Sequence, residues 1–336
     1  MQRHGGLLAV LIVLSGTFVD AGPAAAAGPT CPEIGHMVFP GDAEWHPDRD
    51  PDGDLVGCES FPDTSRPSGY TSITGTGAGY WMTDELGRVY DFGDADHQGE
   101  PLTMLGCDAS SPTARAVKVV ADPTDSTGGS YWVLDTSGKV HSYGTLLFGD
   151  LCDQTLLPGE VPSTMAPAPD AGGYWIFTNL GRAFAFGGVG HFDDMAGVVL
   201  NGPVVDSVAT PSGLGYYMVG SDGGVFAFGD AQFHGSMGGL TLNRPVNGLV
   251  PDPDGTGYWL VASDGGVFAY EADFAGSMGA ATLNRPVVGM VAYGNGYLMV
   301  GSDGGIFAFS DREFVGSLGD QTIPRAITSA AALPTA

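Results

Sequence analysis

Apolar residues along this chain come in short runs separated by glycine, proline and aspartate, and the runs recur with a steady beat. Residues 257–276, GYWLVASDGGVFAYEADFAG, show the unit: an aromatic and aliphatic run from Tyr258 to Ala262, then Ser263-Asp264-Gly265-Gly266, then a second run from Val267 to Tyr270. Asp-Gly between two β-prone runs predicts a hairpin, since glycine accepts the positive φ of the turn. A further run lies upstream of each hairpin (Pro286-Val287-Val288-Gly289-Met290-Val291) and a short one downstream (Phe274-Ala275-Gly276-Ser277-Met278), which predicts four short strands per unit. Copies begin at Tyr80-Trp81, Tyr131-Trp132, Tyr174-Trp175, Tyr216-Tyr217, Tyr258-Trp259 and Tyr297-Leu298, with Tyr-to-Tyr spacings of 51, 43, 42, 42 and 39 residues. A period of about 40–45 residues with several strands per unit is that of a β-propeller blade.

The runs do not alternate apolar with polar. A sheet with one wet face alternates, whereas one covered on both faces reads as continuously apolar, as blades flanked by neighbours do. No helical crossover pattern separates the strands, and a β-sandwich gives no reason for near-identity at a fixed period. The chain is therefore expected to be all-β, a β-propeller of four-stranded blades. Residues 38–46, VFPGDAEWH, echo residues 226–234, FAFGDAQFH, and residues 325–333, RAITSAAAL, read as a first strand with no hairpin after it. Joined, they predict seven blades with the ring closed by N- and C-terminal strands, which leaves no free sheet edge around the ring. The alternative is six blades plus a separate small calcium-binding module. The recurrent Trp and Tyr are expected between blades, where each buries a large apolar area, rather than as a sugar-stacking platform.

Residues 1–27 have the form of a signal peptide: Arg3 and His4, the apolar stretch from Leu7 to Val19, then Ala24-Ala25-Ala26-Ala27 for cleavage. The propeller is placed at 28–336. The end, Leu333-Pro334-Thr335-Ala336, reads as neither a sorting signal nor a membrane tail. A secreted, extracellular, monomeric protein without membrane insertion is expected. Four cysteines, Cys31, Cys58, Cys107 and Cys152, favour two disulfides in that compartment. Of the three pairings, Cys31–Cys58 with Cys107–Cys152 is preferred, because each links neighbouring segments.

Charge narrows the partners. With 38 acidic residues against 12 basic ones, net −26, the chain has no surface for neutralising phosphates, which argues against nucleic acid and anionic membrane. The densest acid cluster is specific in its spacing. Residues 48–59, DRDPDGDLVGCE, place Asp48, Asp50 and Asp52 at positions 1, 3 and 5 of a twelve-residue calcium loop, Gly53 at 6, the Asp54 carbonyl at 7 and Glu59 at 12. Closely spaced carboxylates repel one another unless a cation sits among them, so calcium is the expected cofactor. Pro47 and Pro62 argue against long flanking helices, a departure from a helix–loop–helix.

Catalytic patterns are missing. No Gly-x-Ser-x-Gly elbow occurs, Ser221, Ser263 and Ser302 adjoin hairpin aspartates, and His36, His46, His97, His141, His191 and His234 share neither unit position nor metal-ligand spacing.

The units at 215–237 with Leu242-Asn243-Arg244-Pro245, at 257–278 with Leu283-Asn284-Arg285-Pro286, and at 296–318 resemble the GYWLVASDGGVFAFGDA repeats of secreted bacterial, especially actinobacterial, proteins. That resemblance implies a propeller-like extracellular module and supplies no catalytic residue. The 48–59 segment resembles the extracellular Excalibur calcium motif, through Cys31, His46-Pro47, the three aspartates, Gly53, Cys58 and Glu59. The expected function is a non-enzymatic binding module on a calcium-stabilised scaffold, its ligand a protein or a cell-surface glycan. The alternative is an extracellular carbohydrate-active hydrolase or lyase with carboxylates at the propeller axis, Asp193 and Asp194 being the first suspects.

Asp48→Ala or Glu59→Gln is expected to weaken calcium binding in calorimetric titration of the chain from residue 28 onward. An unchanged titration would refute the loop assignment.

Overall fold

The computed structural model describes residues 78–102, 105–107, 114–125 and 127–334. Among them there is no helix, and the strands form six antiparallel sheets of three. The first joins β1 (Gly79–Asp84) and β2 (Val89–Gly93) to the last strand, β18 (Ile327–Ala332). The second holds β3 (Ala116–Ala121), β4 (Tyr131–Asp135) and β5 (Val140–Tyr143), and the third β6 (Pro162–Pro167), β7 (Gly173–Thr178) and β8 (Ala183–Gly187). The fourth holds β9 (Val204–Ala209), β10 (Gly215–Gly220) and β11 (Val225–Gly229). The fifth holds β12 (Val246–Pro251), β13 (Tyr258–Ala262) and β14 (Val267–Tyr270), and the sixth β15 (Val287–Tyr293), β16 (Gly296–Gly301) and β17 (Ile306–Phe309). The first strand of each sheet adjoins that of the next, in the order β3, β6, β9, β12, β15, β18, with β18 also against β3. The arrangement is radial and propeller-like.

Each unit folds locally for the reasons its turn residues supply. In Gly220-Ser221-Asp222-Gly223-Gly224 the Gly223 N–H donates to the Gly220 carbonyl, Gly223 takes φ +78°, and Asp222 Oδ1 accepts the Gly224 N–H at 3.1 Å. That is a three-residue hairpin loop, a type I turn followed by a left-handed residue. The residue after the middle strand then joins units. Ser221 N–H donates to Pro203 O, just before its own inner strand, and Ser221 O accepts from Val246 N–H, the start of the next. Glu85, Asn179, Ser263 and Ser302 do the same, and Pro162, which has no N–H, interrupts the series after Thr136.

Packing follows the same period. Each of six apolar clusters draws on two adjacent sheets. The middle strands are wholly buried, and Trp81, Trp132, Trp175 and Trp259 have no exposed surface, as core packing requires. Each tryptophan meets the tyrosine of the next unit: Trp81–Tyr131 at 5.3 Å, Trp132–Tyr174 and Trp175–Tyr216 at 5.6 Å, Trp259–Tyr297 at 5.1 Å between ring centroids. Such pairs contribute about 0.5–1.5 kcal/mol beyond the area they bury.

Three strands, not four, form each described sheet. The downstream run, 274–278 in the fifth unit, is irregular. Its backbone bonds to side chains in place of a ladder. Trp259 Nε1 donates to Asp273 O at 2.8 Å from within the unit, and Tyr297 of the next unit both donates to Gly276 O at 2.6 Å and accepts the Gly276 N–H at 3.1 Å. Equivalent phenol bonds run from Tyr131 to Gly99 O, Tyr174 to Gly149 O, Tyr216 to Asp193 O, Tyr258 to Gly235 O and Tyr80 to Gly316 O. At five of the six acceptors a glycine at φ +134° to +142° breaks the pleat. Burial pushes the phenols of Tyr131, Tyr174 and Tyr216 up to about 12, so they remain donors.

The tail strand also differs from expectation. β18 pairs with β1, Tyr80 opposite Ala332 and Met82 opposite Ala330, and so serves the first described hairpin. The echo at 38–46 lies outside the described residues. The Cys107–Cys152 disulfide is present, with a Cα–Cα distance of 5.3 Å, and ties the segments after β2 and β5; its 45-residue separation corresponds to about 4 kcal/mol of loop-closure entropy. Cys31 and Cys58 lie outside the described residues.

A Cβ on Gly276 would sit 2.3 Å from the Phe309 ring, at φ +142°, whereas one on Gly289 would meet nothing within 4 Å. Gly276→Ala is expected to cost about 2–4 kcal/mol in denaturant unfolding, and Gly289→Ala less than about 0.5 kcal/mol; equal costs would contradict the packing described.

Candidate functional site

The repeats agree closely on their middle strands and diverge on their inner ones. Every inner strand carries a bulge at the same place, between its first and third residues or opposite them. The residue after the bulge is Lys118, Thr164, Asp206, Gly248, Gly289 or Ser329 in the successive sheets. These six equivalent positions belong to the strands that adjoin one another around the axis, and a charged or hydroxylated residue there interrupts an otherwise apolar run.

Asp206, almost fully buried, organises that point. Its Oδ1 accepts from Lys118 Nζ at 2.8 Å, Thr164 Oγ1 at 3.1 Å and the Ser207 N–H at 3.0 Å, and its Oδ2 accepts the Leu249 N–H at 3.2 Å. One carboxylate thus links β3, β6, β9 and β12. Among the described residues it is the one carboxylate on an inner strand. Ser329 Oγ accepts the Val119 N–H at 3.3 Å and joins β18 to β3.

Above this layer the inner strands enclose a cavity of about 770 Å³. Its wall is aliphatic, with Val120, Ala166, Val208, Val250, Val291 and Ala331 at equivalent strand positions. Its mouth lies where inner strands turn into middle strands. Pro123, Pro169, Pro211, Pro253 and Pro334 rim it, and Gly294-Asn295 takes the sixth place. Proline has no N–H for a ladder and a fixed φ, so it closes off five of the six inner strands and stiffens their loops. The buried hydroxyl of Ser207, on the cavity lining, has no hydrogen-bond partner. A second hollow of about 510 Å³ shares Pro169 and Pro211 with the first and runs outward past Leu214.

The expected calcium ligands Asp48, Asp50, Asp52, Asp54 and Glu59 lie outside the described residues, as do residues 1–27. Asp193 and Asp194 sit in the loop after β8 and do not line the axial cavity. Asp193 occupies the place of the acceptor glycine, at φ +86°, and its carbonyl takes the Tyr216 phenol. Asp194 accepts the Ala183 N–H at 3.1 Å and the Ala196 N–H at 2.7 Å, and faces His191 at 3.5 Å. Their role is to hold the loop. No group of three or more His, Cys, Asp or Glu suited to a metal occurs among the described residues.

Other buried charges shore up hairpins. Burial, opposed by Arg88, pushes the Asp84 carboxyl up to about 6. Burial also works against Asp135 and Glu160, yet hydrogen bonds hold both below the usual range: His141, Ser137 and the Gly106 N–H on Asp135, and the Leu157 N–H, Thr178 and Arg182 on Glu160. The Lys118–Asp206 pair was the feature missed in the sequence. Its signal was there, a single charge inside each of the apolar runs AVKVVA and VVDSVA.

No protein-family model and no curated protein matches this chain. Among solved structures, the chain is similar to one in a nidogen/laminin complex, with 11% identity, a TM-score of 0.46, and coverage of 77% of this chain and 99% of that one. It is also similar to a structural genomics protein of unknown function from Bacteroides thetaiotaomicron, with 12% identity, a TM-score of 0.46, and coverage of 77% and 69%.

Lys118→Met leaves the Asp206 carboxylate buried without its cation and is expected to cost about 3 kcal/mol of stability. Adding Asp206→Asn should cost little more, a coupling on the order of 2 kcal/mol in the double-mutant cycle. Additive effects would show that the pair does not hold the axis.

Proposed function

We propose that this chain is a secreted, non-enzymatic binding module: a six-bladed β-propeller whose axial mouth takes part of a protein or a cell-surface glycan. The observation that carries the reading is the concave, aliphatic cavity framed by six loop positions, five of them stiffened by proline, with the charged groups at its floor bonded to one another. A preformed apolar concavity with a few placed polar groups is the usual form of a ligand site. The six-blade count and closure through the tail strand are supported by the β18–β1 pairing and by the Tyr80 to Gly316 bond, which joins the first described unit to the last. On this reading the segment before residue 78 is a separate module, where a calcium ion among Asp48, Asp50, Asp52, the Asp54 carbonyl and Glu59 would order one loop. The signal-like residues 1–27 and a disulfide suited to an oxidising compartment support the export part of this reading.

The chain from residue 28 onward, immobilised and screened against extracellular proteins and a glycan array in calcium and in chelator, is expected to retain a partner whose capture falls when the cavity wall is altered at its partly exposed Val291 by Val291→Glu. A blank in both conditions, or capture indifferent to Val291→Glu in a variant that melts normally, would overturn the reading.

A further inference from the structure

The two ends of the barrel of sheets differ in charge. Arg115, Lys139, Arg182, Arg244, Arg285 and Arg325 all lie in hairpin turns or just before inner strands, at the end away from the mouth, where Asp84, Asp135, Glu160, Asp222, Asp264 and Asp303 offset them, so that end is mixed in charge and the mouth is acidic. The mouth loops carry Asp125, Asp170, Asp230, Asp252, Asp254 and Asp311, with Arg312 the one base among them. These carboxylates are fixed by their turns. Asp230 accepts from Thr210 and Ser212, Asp254 from Thr256, and Asp311 from the Asn295 N–H and side chain. Deeper in, Lys118 is matched by Asp206, so the floor adds no net charge.

Three further features bear on what fits there. The cavity wall is aliphatic, so it favours an apolar side chain. The Ser207 hydroxyl, unpartnered but itself closed off from solvent, is a polar gap behind that aliphatic wall and offers the ligand no contact. The second hollow, adjoining the first at Pro169 and Pro211, offers a neighbouring concavity along which a chain leaving the mouth could lie.

We infer that the mouth binds an extended basic peptide segment of a protein partner, an apolar side chain filling the axial cavity and flanking Lys or Arg residues meeting the aspartate rim. This rests on the binding-module reading and narrows it to one ligand class. Complementary charge at a rim governs orientation and the rate of encounter, while the desolvated centre holds the anchor. Segregating bases to the far end removes repulsion where such a segment would land.

The probe is a fluorescein-labelled Lys-Arg-Leu-Arg-Lys amide, followed by anisotropy with the chain from residue 28 onward at saturating calcium. Binding should weaken about tenfold in Asp252→Asn/Asp254→Asn/Asp311→Asn. It should change less than about twofold in Asp222→Asn/Asp264→Asn/Asp303→Asn, which removes the same charge from the hairpin end. The same peptide with glycine for leucine should bind at least about fivefold more weakly, a comparison needing no variant protein. Equal loss in both triple variants, or indifference to the leucine, would reduce the interaction to general attraction for an acidic protein and overturn the proposal. If the peptide fails while the screen above retains another partner at the mouth, this inference alone falls; a blank in both removes the two together.

Discussion

A buried phenol that finds its hydrogen-bond partner only on the neighbouring unit is the constraint behind this structure. The tyrosine opening each middle strand is fully buried, and a buried hydroxyl left unmatched costs about 1–3 kcal/mol. Its partner is the irregular stretch of the preceding unit, whose own N–H and C=O have no ladder. Each side satisfies the other, so a single unit is incomplete in polar as well as apolar terms. The acceptor must be a residue with positive φ, at 99, 149, 235 and 276 also pressed against an aromatic ring, which explains the recurrence of glycine there and, by its φ, at 316.

This framework leaves one region free to vary. The middle strands are committed to neighbours on both faces, and the hairpin ends to the backbone bonds that staple successive inner strands. At the axis the inner strands have no such obligation, and there the units stop agreeing: Lys118, Thr164, Asp206, Gly248, Gly289 and Ser329 stand at one repeated position. The mouth loops differ likewise in length and charge. Repeat regularity builds the cavity, and repeat divergence gives it chemistry.

Much of this is legible in the sequence. The hairpins announced themselves because Asp-Gly-Gly between apolar runs admits few other conformations, and near-identical aromatics at a period near 42 residues argued for mutual burial. The downstream run did not declare itself irregular, because Phe274 to Met278 has strand-like composition and only the geometry at Gly276 shows why it cannot pleat. The tail strand is recognisable from RAITSAAAL, but which hairpin it serves depends on a partner near the start of the described residues, Tyr80 opposite Ala332. Lys118 and Asp206 lie 88 residues apart and come together only through topology. Asp193 was suspect as an acid, yet its backbone is what matters, replacing glycine beneath the Tyr216 phenol.

The most direct measurement is the equilibrium stability of Tyr80→Phe beside that of Tyr258→Phe. If the joint between the last and first units is the same as the joints within the chain, both lose about 1–2 kcal/mol, equal within about 0.5 kcal/mol. A Tyr80→Phe protein as stable as the parent, with Tyr258→Phe destabilised, would mean that the ends do not meet and that the units form an open array.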